Sequence, residues 1–539
     1  MAPSDEGQRL HPQQSRRGLL LALFVSTTGF FHGYDNGVVN GVFEMPAFRS
    51  HMGWPPSNSQ TSTVALQEGL TVNGFNAGAA LSALLFGHFL VDKKGRRPAL
   101  QVGSILFAIG GAIQAAAPTA GVLILGRVVA GVGVGLTSSA GTAFIAEVAP
   151  AQSRGAMVGL YQNNVCVAIV LAALLNFVGR DWEMGWRLSL GVQVAMGSCV
   201  AVGLCFAPET PRFLVKAGEV ERARAVMRSL RTDEAAAAAE VEAVIAELAA
   251  EAHAGEATWR EILWTCPAHR NAVLIGCGVQ FAQIITGINA LVSFSGGMFA
   301  QLGVEGVASA LLPFVAFFAG NMLGAVVLID RIGRRPVLIV GMAAMATSLV
   351  VAGIANLASA PTSAPVGGGG SGGGGGSGRL SIVCVVCYML AFGASWGYGA
   401  WLYIPEIMPL RVRGKAVGLC TFINWGPANI LSAFLTPWLL QPTVLGAGGT
   451  LGFFGCVAAA AVPFTVLCLP ETRAMPLEHV QPMFAFEGFA GLGRFVRGNL
   501  SHGHGVRAPV ATPHVITLTT VVACSSSQSH SQEPKEQRT

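Results

Sequence analysis

The chain alternates long apolar blocks with short polar ones, and the apolar blocks are close to the ~20 residues that a helix needs to cross a bilayer. In the first half they fall at 19–42, 70–91, 99–117, 121–146, 156–179 and 187–207. In the second half they fall at 271–300, 308–330, 336–358, 380–408, 415–440 and 449–469. A polar stretch, 208–270, separates six from six. The pattern predicts an all-α membrane protein of twelve spans in two six-helix halves, 19–207 and 271–469. A short segment, 1–18, precedes them and a polar tail, 470–539, follows.

Within the polar stretch, Asp233 to Ala252 is rich in Ala and Glu, with apolar residues at helical spacing. It predicts a surface helix, so the segment between the halves reads as a helical loop. The Gly/Ser run 367–378 lies between two spans and reads as a flexible linker. The tail beyond about 483 is rich in Ser, Gln, His and Gly and is expected to be mostly disordered. His502 and His504 there have no Cys or carboxylate cluster beside them, and read as solvated rather than metal-ligating.

Charge sets the orientation. One set of alternate loops carries Lys93, Lys94, Arg96 and Arg97, then Arg154, then Arg331, Arg334 and Arg335, then Arg411, Arg413 and Lys415. The other loops are nearly free of Lys and Arg, their exceptions being Arg49, Arg180 and Arg379. Cytoplasmic loops hold the positive excess, so both termini and the central loop are expected in the cytoplasm. The net charge of +5 belongs to these loops and gives no sign of nucleic-acid binding.

Composition agrees. Charged residues make up 11% of the chain and hydrophobic ones 52%, whereas a soluble domain needs about a quarter charged residues to cover its surface. Of 11 cysteines, most sit inside apolar runs, among them Cys166, Cys199, Cys277, Cys384, Cys387 and Cys468. Cys384-x-x-Cys387 therefore reads as two small packing residues rather than a redox or zinc pair. The first apolar run continues through Tyr34-Asp35 with no small-residue cleavage site, and reads as a span rather than a removable signal. No phosphate-cradling Gly-Lys-Ser motif, metal cluster or nucleophile–base set appears in the spans, so neither ATP drive, nor a cofactor, nor an enzyme is expected.

The two halves repeat each other. Asp92-Lys-Lys-Gly95-Arg96-Arg97-Pro98 returns as Asp330-Arg-Ile-Gly333-Arg334-Arg335-Pro336. Glu147-Val-Ala-Pro150 with Arg154-Gly155 returns as Glu406-Ile-Met-Pro409 with Arg413-Gly414. Pro208-Glu209-Thr210 returns as Pro470-Glu471-Thr472. The order is the same, and the offset lengthens where the Gly/Ser run lies. Parallel six-span repeats place a binding site at their interface near the midplane, around which the halves rock.

These repeated motifs, with Gly33-Tyr34-Asp35, Gly126-Arg127 before Gly131-Val-Gly-Val-Gly135, Pro208-Glu-Thr-Pro-Arg212, Thr286-Gly-Ile-Asn289 and Pro470-Glu-Thr-Arg473, resemble the sugar porter branch of the major facilitator superfamily. The resemblance covers about residues 19–480. Gly185-Trp186-Arg187 and the Tyr34-Asp35 pair look most like plant and algal monosaccharide–proton symporters. It implies a monosaccharide carried with a proton by a monomer, most simply in the plasma membrane. A proton-independent sugar or polyol facilitator and a non-transporting sugar sensor stay open as alternatives.

Asp35 is the sharpest single residue, because a carboxylate inside an apolar span is costly and is retained for a function. Burial favours the neutral acid and a nearby arginine favours the carboxylate. A pairing with Arg127 in the fourth span that forms and breaks would therefore bind and release a proton, as the resemblance implies. The plainer alternative is a static ion pair that locks two helices. For the sugar, the resemblance points to Gln162, Gln283, Asn289, Trp401 and Asn424. Amides both donate and accept to hydroxyls, and an aromatic face covers the apolar side of a ring. The alternative is that these amides join helices.

Ile284 stands where the family pattern has a second glutamine, Phe318 where it has an asparagine (with Asn321 nearby), and Ser293-Phe294 where it has further aromatics. At least two sugar-facing hydrogen bonds are expected to be absent, at about 1–3 kcal/mol for each unmet buried polar group. No cysteine lies in 43–69, so a bridged cap over the first outer loop is not expected. On the cytoplasmic side, Arg96, Arg97, Arg334 and Arg335 are expected to bridge Glu147 and Glu406 as a gate, with Arg154 and Arg413 beside them.

Overall fold

The computed structural model describes residues 15–55, 62–83, 90–150, 154–254, 258–302, 307–358, 375–409, 412–473, 481–486 and 488–501. Most of the Gly/Ser run and the tail from 502, with His502 and His504, lie outside the described residues. The described residues are almost entirely helical.

The first span is Arg16–Ser26 continued by Gly29–Val42, and the second begins at Ser62–Leu81. The third to sixth are Arg96–Ala116, Ala120–Val148, Arg154–Gly179 and Gly185–Gly203. The seventh is Pro267–Ile285 plus Ile288–Gln301, and the eighth is Val307–Leu323 running into Gly324–Leu328. The ninth is Arg334–Ala358. The tenth joins Gly375–Phe392, Gly393–Gly397 and Tyr398–Ile407. The eleventh joins Arg413–Ile423, Asn424–Ala428 and Asn429–Leu439, and the twelfth is Gly446–Cys468. Among the described residues, seven helices are long and apolar enough to cross a membrane unaided. They serve spans three, four, five, seven, nine, ten and twelve.

The breaks have local causes. Gly287 has φ +107°, which only glycine adopts freely, and any Cβ there would press on Phe454 at 2.9 Å. The seventh block, expected as one run 271–300, is therefore two helices. In spans eight, ten and eleven a wider π turn replaces one α turn. In the eleventh it carries Pro427, whose ring and missing N–H are poorly suited to a regular α turn. These turns leave no mark in hydropathy.

Close helix approach relies on small residues. A Cβ on Gly33 would collide with the Val165 carbonyl, so spans one and five touch backbone to backbone there. Gly131 stands in the same relation to the Phe75 carbonyl, between spans four and two.

Between the halves, Pro211–Lys216, Val220–Leu230 and Glu234–Ala254 form the expected helical loop. Asp233 caps the third helix by accepting from Ala235 N at 2.9 Å. Arg231 fixes the loop to the first half. Its Nη1 donates to Val148 O at 3.0 Å, and its Nη2 pairs with Glu240 at 2.8 Å. Ser15 N donates to Leu230 O at 3.0 Å, which ties the start of the first span to the same loop. The stretch expected to be mostly disordered contains two helical pieces, Gln481–Phe484 and Gly488–Ser501.

Candidate functional site

Asp35 and Arg127 meet as expected. Their side chains are 0% and 1% exposed, and Arg127 Nη1 forms an ion pair with Asp35 Oδ2. Arg127 is also held independently of that carboxylate. Its Nη1 donates to the Asp35 backbone carbonyl at 2.9 Å and its Nε donates to Thr71 O at 3.1 Å. Its guanidinium carbon lies 4.9 Å from the centre of the Phe75 ring. Thr71 and Phe75 are on span two, and they reach Arg127 because Gly131 lets spans two and four close up. The arginine is thus held by contacts that do not depend on the Asp35 carboxylate.

The second half has no fully buried charge pair among its described spans, since its Arg334–Glu406 pair is partly exposed, and offers amides instead. Gln283 Nε2 donates to Trp396 O at 2.7 Å. Asn424 Nδ2 donates to Gln283 Oε1 at 2.9 Å and to Gln280 Oε1 at 2.7 Å. Asn429 Nδ2 donates to Asn424 O at 2.6 Å, and Asn289 Nδ2 donates to Asn429 Oδ1. Three of the sequence-derived residues, Gln283, Asn289 and Asn424, therefore sit in one cluster between spans seven and eleven. The cluster starts from the π turn Asn424–Ala428. Gln280 and Asn429 belong to it and were missed. Gln280 is one helical turn from Gln283, and an amide repeated at that spacing in an apolar span was a usable signal.

Gln162 and Trp401 are half-buried, on spans five and ten. No hydrogen bond among those described joins them to the cluster. Of the departures, Ile284 is buried and Phe318 half-buried in the apolar core. Asn321 is fully buried and donates to Asn163 Oδ1 at 2.5 Å, a bond between span eight of one half and span five of the other. Ser293 and Phe294 are buried as well, and the Phe294 ring lies 6.4 Å from that of Phe43 in the first span.

The halves touch along spans one and seven, two and eleven, and five and eight. Next to Phe294, Asn40 Nδ2 donates to Ser295 Oγ at 3.1 Å and Asn40 Oδ1 accepts from Gly296 N at 2.9 Å. Trp425, beside Asn424, sets its ring 4.7 Å from His32 and 5.9 Å from Phe75, both in the first half.

The motifs expected to form a cytoplasmic gate differ from that expectation. Arg96 pairs with Glu147 at 2.8 Å and Arg334 with Glu406 at 3.1 Å, but each pair lies inside its own half. Arg97 and Arg335 do not reach those glutamates. Arg97 Nη2 donates to Cys205 O at 3.1 Å and Arg335 Nη2 to Val466 O at 2.9 Å, each at the end of a neighbouring span. Arg413 donates to Met408 O at 3.3 Å through Nη2. Arg154 begins span five, and its side chain lies outside the described residues.

Glu209 and Glu471 supply what was missed. Glu209 accepts from the backbone N of Arg96, Arg97 and Thr210 at 2.8–3.3 Å. Glu471 accepts from the backbone N of Arg334, Arg335, Thr472 and Arg473 at 2.9–3.1 Å. Each carboxylate caps the start of a span whose first N–H groups have no partner of their own. Gly95 (φ +108°) and Gly333 (φ +113°) precede the capped helices, and a Cβ at either would strike the capping carboxylate. Burial pushes the Glu209 carboxyl up from its ordinary range despite these bonds.

Comparison with known proteins adds the family. The profile described as "Sugar (and other) transporter" matches residues 21–484. The chain is 30% identical over 486 residues to the probable glucose transporter rco-3 of Neurospora crassa, covering 87% of this chain and 80% of that one. It is 30% identical over 484 residues to H(+)/hexose cotransporter 1 of Parachlorella kessleri, covering 87% and 88%. In fold it is similar to the proton:xylose symporter XylE, with a TM-score of 0.68 at 23% identity over 87% of this chain and 99% of that one. The chain belongs to the sugar (and other) transporter family, with the twelve-helix fold of the major facilitator superfamily.

Proposed function

We propose that this chain carries a monosaccharide and a proton together across the plasma membrane, as a monomer working by alternating access rather than as an enzyme. The observation that carries the reading is the buried Asp35–Arg127 pair. When Asp35 takes a proton, the ion pair loses its charge attraction, while Arg127 keeps Thr71, the Asp35 carbonyl and the Phe75 ring. Asp35 lies on the first span, which touches the seventh span of the other half through Asn40 and Ser295. Protonation is in this way linked to the contact between halves. The amide cluster provides uncharged donors and acceptors suited to hydroxyls, and most of them already face one another. A sugar would exchange these bonds for its own rather than satisfy orphaned groups. The Neurospora and Parachlorella relatives, a probable glucose transporter and an H(+)/hexose cotransporter, support glucose or another hexose as first substrate.

The test is uptake of labelled glucose by cells without hexose carriers of their own, at acidic and neutral pH, with and without a protonophore, for the parent and Asp35→Asn. Uptake that rises in acid, collapses with protonophore and loses accumulation in the variant is expected. Uptake indifferent to all three would make the chain a facilitator. No uptake of glucose or of other hexoses and polyols would turn the reading to a sensor.

A further inference from the structure

The helix Gly488–Ser501 has a fixed place. Asn499 Nδ2 donates to Leu467 O at 2.8 Å, in the last turn of the twelfth span. Asn271 Nδ2, near the start of the seventh span, donates to Phe484 O at 2.9 Å and Phe486 O at 2.7 Å. The Phe495 ring lies 4.8 Å from that of Phe486 and 5.9 Å from that of Phe484. These ends of the two spans are the ones that the loop charges predict on the cytoplasmic side, where hydrocarbon gives way to headgroups.

At about 100° per residue, its side chains divide into three faces. Gly491, Phe495 and Asn499 turn toward the protein. Leu492 and Leu500 lie beside them and are exposed, Leu500 by 54%. Arg494 and Arg497 occupy the remaining side and are exposed as well. The helix contains no Asp or Glu. In the segment leading into the seventh span, Trp264 is 70% exposed, and Trp259 and Arg260 are exposed too. Exposed leucines beside arginines, with tryptophans in the same margin, are what an interfacial helix presents to lipid: the apolar face enters the acyl boundary and the cations reach phosphates.

We propose that this margin of the second half is a docking surface for anionic phospholipid headgroups of the inner leaflet. Leu492 and Leu500 rest in the hydrocarbon, and Arg494, Arg497 and Arg260 bind the phosphates. The occupant follows from charge complementarity and from depth. A helix with two exposed cations and no acid, held at the ends of two spans, meets the negative surface of the cytoplasmic leaflet before any soluble partner.

The full chain would be placed in lipid nanodiscs of phosphatidylcholine alone, or of phosphatidylcholine mixed with phosphatidylserine, and amide hydrogen exchange followed. Amides of 488–501 are expected to exchange several-fold more slowly with phosphatidylserine. The slowing should disappear in high salt and in Arg494→Gln/Arg497→Gln, while exchange in the seventh and twelfth spans stays as in the parent, which shows that the variant is folded. Equal exchange in the two lipids would overturn the proposal. So would equal slowing by inorganic phosphate added to neutral nanodiscs, since the arginines would then form an anion site independent of the membrane.

Discussion

The two halves share one set of motif contacts at the ends of their spans and differ in the polar groups they bury within those spans. Arg96–Glu147 with Glu209 and Arg334–Glu406 with Glu471 repeat the same geometry, down to a positive-φ glycine before each capped helix. Within its spans the first half buries a carboxylate and a guanidinium, and the second half buries four amides within hydrogen-bond reach of one another. Under the proposed function the difference is a division of labour. Both halves then keep the same motif contacts because both rock, whereas an ion and a neutral polyhydroxyl ligand need opposite environments. A fixed cation would compete for sugar-binding amides, and amides alone give a proton nowhere to go.

The largest expected effect comes from breaking the charged pair unevenly. Arg127→Ala leaves Asp35 buried without its counter-ion, at about 3–5 kcal/mol, so a sharp loss of folded transporter is expected in detergent thermal-shift measurements. Asp35→Asn leaves Arg127 with its carbonyl and ring contacts and should stay folded. It is expected to retain sugar exchange between preloaded vesicles while losing accumulation against a gradient. If both variants behaved alike in both assays, the pair would be a structural clamp and the division of labour would fail.

The next effect belongs to the amides. Asn424→Ala removes the donor shared by Gln280 and Gln283, leaving two acceptors short at about 1–3 kcal/mol in all. KM for hexose is expected to rise roughly tenfold, by the usual conversion of 1.4 kcal/mol to a factor of ten, with the pH dependence of uptake unchanged. A shifted pH profile instead would show that proton and sugar sites are not separated between the halves.

How much of this was legible depends on the kind of information each feature leaves. Spans and the duplicated motifs are one-dimensional patterns, and the structure keeps them. Asp35 and Arg127 were legible because a charge in an apolar run is an anomaly on its own. Gln280 and Asn429 were not singled out, because an amide in a span is a weak anomaly until its partner on another helix is known. The break at Gly287 and the π turn at Asn424–Ala428 depend on one φ angle and one extra residue per turn, which hydropathy cannot register. The motif arginines were assigned to the nearest acids by charge. In the fold, Arg97 and Arg335 instead meet the carbonyl ends of neighbouring spans, whose last C=O groups lack intrahelical partners.

The smallest effect tests the shared part of the comparison. Glu209→Gln and Glu471→Gln each keep the shape of a cap but remove its charge. Bonds from N–H groups to a charged acceptor contribute about 1.5–3 kcal/mol in place of about 1 for a neutral one, and the amide retains one acceptor oxygen. Each variant is therefore expected to lose on the order of 1 kcal/mol, a downward shift of a few degrees or less in Tm for a chain of this size. The two losses need not be equal. Glu209 spends part of its bonding on offsetting its own burial, which pushes its carboxyl up, so Glu209→Gln should cost less than Glu471→Gln, most clearly at high pH where Glu209 must be charged. Because burial pushes the Glu209 carboxyl up, ionising it costs folded stability, so the advantage of the parent over Glu209→Gln should shrink as pH rises through the glutamate range. If the Glu209 variant instead lost more stability at every pH, burial would not be what distinguishes the two caps, and the repeat would be symmetric in sequence and unequal in load for another reason.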